Sequence, residues 1–382
     1  TPIFRPLCTS IRYCFGKLLI NVDFKKATPA SNILKILIKA CIIPLKINRA
    51  EKTTSVTFRL RSKQILIFWL YQLIIYGTAL FMMFYMTGIK PIMTWFITKF
   101  YNSNFIDFVS LMCIMTMGSI IPNLGLSFSR HLTYVANDIF LSPNLQLPNH
   151  WKKFVLSLLF YVTSVQSFTY IHVTNSKIDD DKDIDYSWWI AGNIIQITFN
   201  NIYVFILFFV VLCFIDEFKR IAYVPKNNNI FHTNKCIDYF KTLQQGFGTT
   251  FLITFSYHQI QNVFCTYMSI SSLMSMNENP WQNIVLSVCY FTMSAYFMAM
   301  LYCITLTSEE AYDALQSLNT PLEKMLVHEN DFTKRTCVKS TIRKLEKMQP
   351  LNGNGYFNVT RETLTIGSIL AIHFTIFFFR HI

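Results

Sequence analysis

Seven long apolar stretches constrain this chain more than any other feature. They run roughly over Ile65–Met86, Phe105–Phe128, Phe154–Val173, Trp188–Phe214, Phe247–Ser272, Ile284–Leu306 and Thr363–Phe379. A bilayer core of about 30 Å takes about 20 apolar residues of helix to cross, and each stretch is near that length. Inside lipid every backbone amide must be satisfied within the protein. Runs without two-residue alternation therefore read as helices and not as barrel strands. Of the 382 residues 52% are hydrophobic and only 14% charged, too little polar surface to cover a soluble globule. The expected fold is an all-α membrane protein with seven transmembrane helices.

Charge sets the orientation. Of the 34 Lys and Arg, 29 lie in the N-terminal region and on every second connection after it. The positive-inside rule then predicts a cytoplasmic N-terminus and an extracellular C-terminus. This distribution also accounts for the net charge of +13, so membrane lipid is the expected partner and nucleic acid is not. Seven helices this way up are inverted relative to G-protein-coupled receptors, which argues against that class. The acidic run Ile178–Asp185 falls outside, as a solvated loop or as a vestibule that attracts cations. The sequon Asn358-Val359-Thr360 falls inside and should stay unmodified.

Four regions follow. Residues 1–63 form a cytoplasmic N-terminal region, whose segment 33–47 carries Lys35, Lys39, Pro44 and Lys46 and reads as interfacial and amphipathic. Residues 64–307 hold spans one to six, 308–361 a cytoplasmic connection, and 362–382 span seven. In the connection Leu315, Leu318, Leu322 and Met325 recur at helical spacing, as do Ile342, Leu345 and Met348, predicting two amphipathic helices. Asn352–Gly355 reads as a turn, and Asp216–Arg220 as a helical extension of span four. The opening residues are basic and broken by prolines, unlike a cleavable leader, so span one is expected to act as signal anchor. None of the 10 cysteines falls in a CxxC or zinc-like spacing, which predicts free thiols. P-loop, GxGxxG and HExxH motifs are missing, and the Gly246–Gly248 stretch is too short to cradle phosphate. Neither an enzyme nor a metal or cofactor site is expected.

Polar side chains within spans cost a few kcal/mol unless they face the bundle interior or water. In span five His258, Gln261, Asn262 and Cys265 follow i, i+3, i+4, i+7 and share one helix face, with Tyr257 and Tyr267 nearby. That face either bonds to other helices or walls a ligand cavity. Tyr257, Tyr290 and Tyr296 suit stacking on a ring-shaped ligand and equally suit ordinary packing. In span seven His373, Ile376, Phe377 and Arg380 share a face, on which Arg380 either snorkels to the outer boundary or lines a pore.

The inverted seven-span layout, with a long amphipathic connection before the last span, resembles the insect gustatory receptor family. Three local matches support this: Leu34–Ile47 before the first span, Leu243–Leu252 with Tyr267 at span five, and Gly355–Leu364 leading into span seven. Together they cover roughly Ser31 to Ile382. The family's span-seven motif is Thr-Tyr, five apolar residues, then Gln-Phe; here His373-Phe374 and Arg380-His381 occupy those positions, and Thr375–Phe379 keep the apolar five only in part. The resemblance implies a taste receptor in the plasma membrane of sensory neurons that acts as a ligand-gated cation channel of four subunits, homo- or heterotetrameric. Span seven would line its pore, 308–361 would anchor the tetramer, and a pocket among the other spans would take a small-molecule tastant. Four copies of Arg380 around that pore would repel cations. His373 at the threonine position would make the outer gate sensitive to pH. An odorant-receptor channel shares the topology. A secondary transporter would fit His258 and Gln261, but the chain has no duplicated halves.

Overall fold

A computed structural model describes residues 29–49, 54–82, 123–133, 147, 151–176, 187–223, 230–274 and 280–380. In chain order the elements are α1 (Pro29–Lys39), β1 (Lys46–Arg49), β2 (Thr54–Thr57), α2 (Lys63–Leu80), α3 (Trp151–Ser176), α4 (Ser187–Ala222), α5 (Ile230–Met274), α6 (Pro280–Gln316), α7 (Asn319–His328), α8 (Phe332–Glu346) and α9 (Arg361–Arg380). Residues 123–133 are also helical. Six of the seven apolar stretches fall on α2, α3, α4, α5, α6 and α9. The other, span two, lies mostly outside the described residues, as do the last residues of span one and the acidic run Ile178–Asp185. Among the described residues three helical segments, Lys63–Leu80, Ile194–Ala222 and Asn283–His328, are long and apolar enough to cross a membrane.

One expectation needs correction, that of a purely α fold. Within the segment 33–47, α1 stops at Lys39 and Cys41 takes a left-handed φ of 57°. The chain then turns inward, burying Ile43 and Leu45 in the core. It continues into a short antiparallel hairpin, in which Ile47 opposes Val56 and Val56 is fully buried. The fold is therefore helical with one small β-hairpin and not purely all-α. The alternating Lys46-Ile47-Asn48-Arg49 and Thr54-Ser55-Val56-Thr57 suit a half-buried ribbon, a pattern too short to stand out in the sequence.

α6 packs chiefly on α5, then on α3 and α4. Large aromatic side chains fill that interior: Tyr161, Phe208, Phe214, Phe218, Phe240, Phe247, Phe251 and Phe297 are all less than 2% exposed. α5 reaches 45 residues, about 67 Å, so it extends well beyond span five. Its first part packs Tyr239 and Phe240 around Phe218 at centroid separations of 5.4 and 5.3 Å. The anticipated apolar stripes of the connection are in place: Leu315, Leu318, Leu322, Leu345 and Met348 are buried. That region is nonetheless built from the ends of α4, α5 and α6 as well as from α7 and α8. The Asn352–Gly355 turn forms with positive φ at Asn354 and Gly355, and the Gly355 amide donates to Asn352 Oδ1 at 2.9 Å. It sits flat on α5, where a Cβ on Gly248 would collide with Asn354.

Candidate functional site

The polar face of α5 points inward. His258 is 0% exposed, and Cys265, Asn262 and Gln261 are buried with it, as their spacing predicted. His258 Nδ1 lies 2.7 Å from the Thr254 carbonyl oxygen, which can only accept, so Nδ1 carries the proton and Nε2 offers a lone pair. Asn262 holds α6: its amide donates to Met298 Sδ at 3.2 Å, and its carbonyl oxygen accepts from Ser294 Oγ. Ser294 also meets Thr266 at 3.1 Å. Higher on α5, Ser269 donates to the Ser287 carbonyl oxygen at 3.0 Å. Asn262, Thr266 and Ser269 thus cement α5 to α6.

His258 sits in an aromatic cluster drawn from four helices. Its ring centroid lies 5.5 Å from Tyr257 and Phe297, 5.9 Å from Phe208 and 6.5 Å from Tyr296. Tyr296 stacks obliquely on Tyr161 at 4.6 Å, and Asn201 Nδ2 donates to the Tyr161 hydroxyl at 2.7 Å. Two buried polar atoms of this cluster, His258 Nε2 and the Tyr296 hydroxyl, have no hydrogen-bond partner among the described residues. A buried polar atom left unpaired costs about 1–3 kcal/mol, so such atoms mark places where a ligand or water belongs. Of the tyrosines singled out in the sequence, Tyr257 and Tyr296 join His258 here. Tyr290 does not: it packs edge-on against Phe264 at 6.3 Å, about 9 Å along α6 from Tyr296. Tyr161, Asn201, Phe208 and Phe297 escaped sequence reasoning. The adjacent Asn200 and Asn201 inside an apolar span were the available signal, since such groups are rarely placed there without partners.

α9 is attached by one side. Leu364 is buried with Phe255 and Leu301, Gly367 abuts Gln259, and Ser368 Oγ approaches Met298 Sδ at 4.0 Å. Met298 sulfur therefore lies between Asn262 of α5 and Ser368 of α9. The opposite side of α9 shows Ile366, Ile369, Leu370, Ile372, His373 and Ile376, all exposed. His373 and Ile376 thus share the unattached face, as their spacing predicted. Phe377 and Arg380 lie on the same helix, with side chains outside the described residues.

Ion pairs tie the far end of the bundle together. Lys219 of α4 bridges Asp216 and Glu310 of α6, at 2.6 Å to Glu310. Burial pulls the Lys219 ammonium down, but hydrogen bonds to the two carboxylates outweigh it and leave its pKa above the ordinary lysine value. Burial raises the Glu217 carboxyl, against the pull of Arg220 at 3.0 Å. Glu309 accepts from the Arg361 amide at 2.6 Å and from its guanidinium, fastening α6 to the first residue of α9. No group of three or more metal-ligating side chains occurs among the described residues, and the seven described cysteines are free.

No protein-family model matches the chain, and no curated protein sequence matches it. Solved structures do. The insect olfactory receptor OR5 from Machilis hrabei in complex with eugenol superposes with a TM-score of 0.58 over 92% of this chain and 98% of that one, at 12% identity. A second structure of that receptor gives 0.52 over 90% of this chain and 96% of that one, again at 12% identity. At that identity the likeness concerns the fold. The chain is a multi-pass, mostly helical membrane protein with the fold of insect olfactory receptor OR5.

Proposed function

We propose that this chain is a chemoreceptor subunit of the gustatory type, a ligand-gated cation channel in the plasma membrane of sensory neurons. The observation that carries the reading is the coincidence of an insect-receptor fold with a buried aromatic cluster holding two polar atoms, His258 Nε2 and the Tyr296 hydroxyl, that have no partner among the described residues. The complementary ligand is a small ring-bearing molecule with one hydrogen-bond donor and one acceptor, flat enough to stack between tyrosines. With Tyr161 and Tyr296 only 4.6 Å apart, such a ligand must part the rings to bind. Binding therefore favours a state in which α3 and α6 have separated, the differential affinity that a ligand needs to shift an equilibrium.

Movement of α6 reaches α9 by three contacts. They are Met298, between Asn262 and Ser368; Leu301, packed on Leu364; and Glu309 on Arg361. In this reading α9 lines the conduction path with His373 and Ile376, the N-terminus is cytoplasmic, and four subunits, identical or related, surround the pore. Arg380 at the outer end reduces cation flow.

An odorant-receptor subunit is the second reading, favoured by the olfactory identity of the matching structures. Calcium imaging of cells expressing the full chain, alone and with related receptors, separates the two. Responses to sugars, bitter alkaloids or amino acids in solution support the taste reading, and responses to volatile phenols alone support the odorant one. Substrate uptake without a ligand-evoked conductance would replace both with a transporter.

A further inference from the structure

α8 presents two unlike faces. Val338, Thr341 and Leu345 are buried, and Thr341 accepts from Asn234 of α5 at 3.3 Å. On the opposite face Thr336, Lys339, Ser340, Arg343, Lys344 and Lys347 wall a groove of about 350 Å³. All six are exposed. Lys339, Arg343 and Lys347 form an i, i+4, i+8 ladder, in which like charges oppose the helix at each step. Among the described residues none of the four cations forms an ion pair, and Glu346, the one carboxylate on α8, does not neutralise them. Cations near a helix C-terminus complement its dipole, which accounts for the last turn and not for Lys339 a full two turns earlier.

We propose that this groove binds an anion of clustered phosphates, an inositol polyphosphate or the headgroup of a phosphoinositide. Four cations within about 12 Å of helix match several phosphates on one small ring. Arg343 supplies a planar fork for bidentate contact and Ser340 a hydroxyl donor. Nucleic acid fits poorly, since no aromatic side chain interleaves with the cations to stack bases. One end of the groove joins the helical bundle: just past Lys347, the Met348 and Pro350 carbonyl oxygens accept from Tyr312 of α6 and Gln244 of α5. The 14 residues from 347 to 360, which carry the Asn352–Gly355 turn, lead from it to α9, so an anion held there steadies the support from which α9 starts. A cytosolic phosphate source requires the orientation proposed above; binding itself does not.

The test uses the purified full chain with two probes, inositol hexakisphosphate in solution and nanodiscs containing phosphatidylinositol bisphosphate. Binding should weaken steeply with salt, as counterion release requires. The variant Lys339→Gln/Arg343→Gln/Lys344→Gln/Lys347→Gln should bind at least thirtyfold more weakly. Arg343→Lys should lose several-fold by itself. Lys334→Gln/Arg335→Gln, on the same helix outside the groove, should bind like the unmodified chain. Whichever probe shows this pattern identifies the source, soluble or lipid. Failure of both probes to bind, or an equal loss in the Lys334/Arg335 variant, overturns the proposal.

Discussion

The gathered ends of α4, α5 and α6 and the helix α9 make opposite uses of similar lengths of chain. At the first, Phe218, Phe240 and Leu345 are sealed from solvent, and Lys219 is clasped between Asp216 and Glu310. At the second, one line of contacts through Leu364, Gly367 and Ser368 holds a helix whose other side is open. A single chain completes the first region and leaves the second unfinished. Stability is concentrated where nothing need move, and the exposed face belongs to the element proposed to respond.

The sharpest way to break this contrast is Lys219→Met. It leaves the buried Asp216 carboxylate without its cation, and removing one partner of a buried pair costs about 3–5 kcal/mol. Thermal unfolding of the solubilised chain should show a large drop in Tm. Ile369→Ala on the open face of α9 should change stability by no more than about 0.5 kcal/mol. Equal losses in the two variants would erase the distinction between the regions.

Next comes the link between them. Glu309→Gln weakens the grip on Arg361, a pair partly open to solvent and therefore worth about 1 kcal/mol or less. Ligand-evoked current should fall several-fold while Tm barely shifts, because the loss is one of transmission. In the aromatic cluster, Tyr296→Phe removes a single hydroxyl and should raise the half-maximal ligand concentration by about tenfold for a ligand that bonds it. Arg380→Gln should raise cation current, and an unchanged current–voltage relation would place Arg380 off the path.

The smallest expected effect is one of pH. The Glu217 carboxyl is raised by burial, so the folded chain favours its protonated form more than the unfolded chain does. Ionising it then costs stability, which should decline as pH rises from the ordinary carboxylate value through the raised one. Glu217→Gln should flatten that part of the stability–pH profile.

Six of the seven apolar stretches were legible as helices because hydropathy and length act locally, and the connecting helices because Leu315, Leu318 and Leu322 keep a strict spacing. The extension of α5 back to Ile230 was hidden, since Asn234, Lys235, Asp238 and Lys241 break any apolar run while facing partners or solvent at a helix end. The hairpin at Lys46–Thr57 was too short to register. In the candidate site the shared inward face of His258, Gln261, Asn262 and Cys265 followed from helical geometry. That Tyr161 and Asn201 complete it depends on which helices become neighbours, and no spacing within one helix encodes that.

The central claim is that the open face of α9 lines the conduction path while its other side is packed. Thiol modification tests this directly on ligand-evoked current, with a charged, membrane-impermeant reagent applied from outside to His373→Cys, Ile376→Cys and Ser368→Cys channels. The account predicts block of His373→Cys and Ile376→Cys, with Ser368→Cys responding like the unmodified chain. Block confined to Ser368→Cys, or current in all three untouched by the reagent, would contradict it.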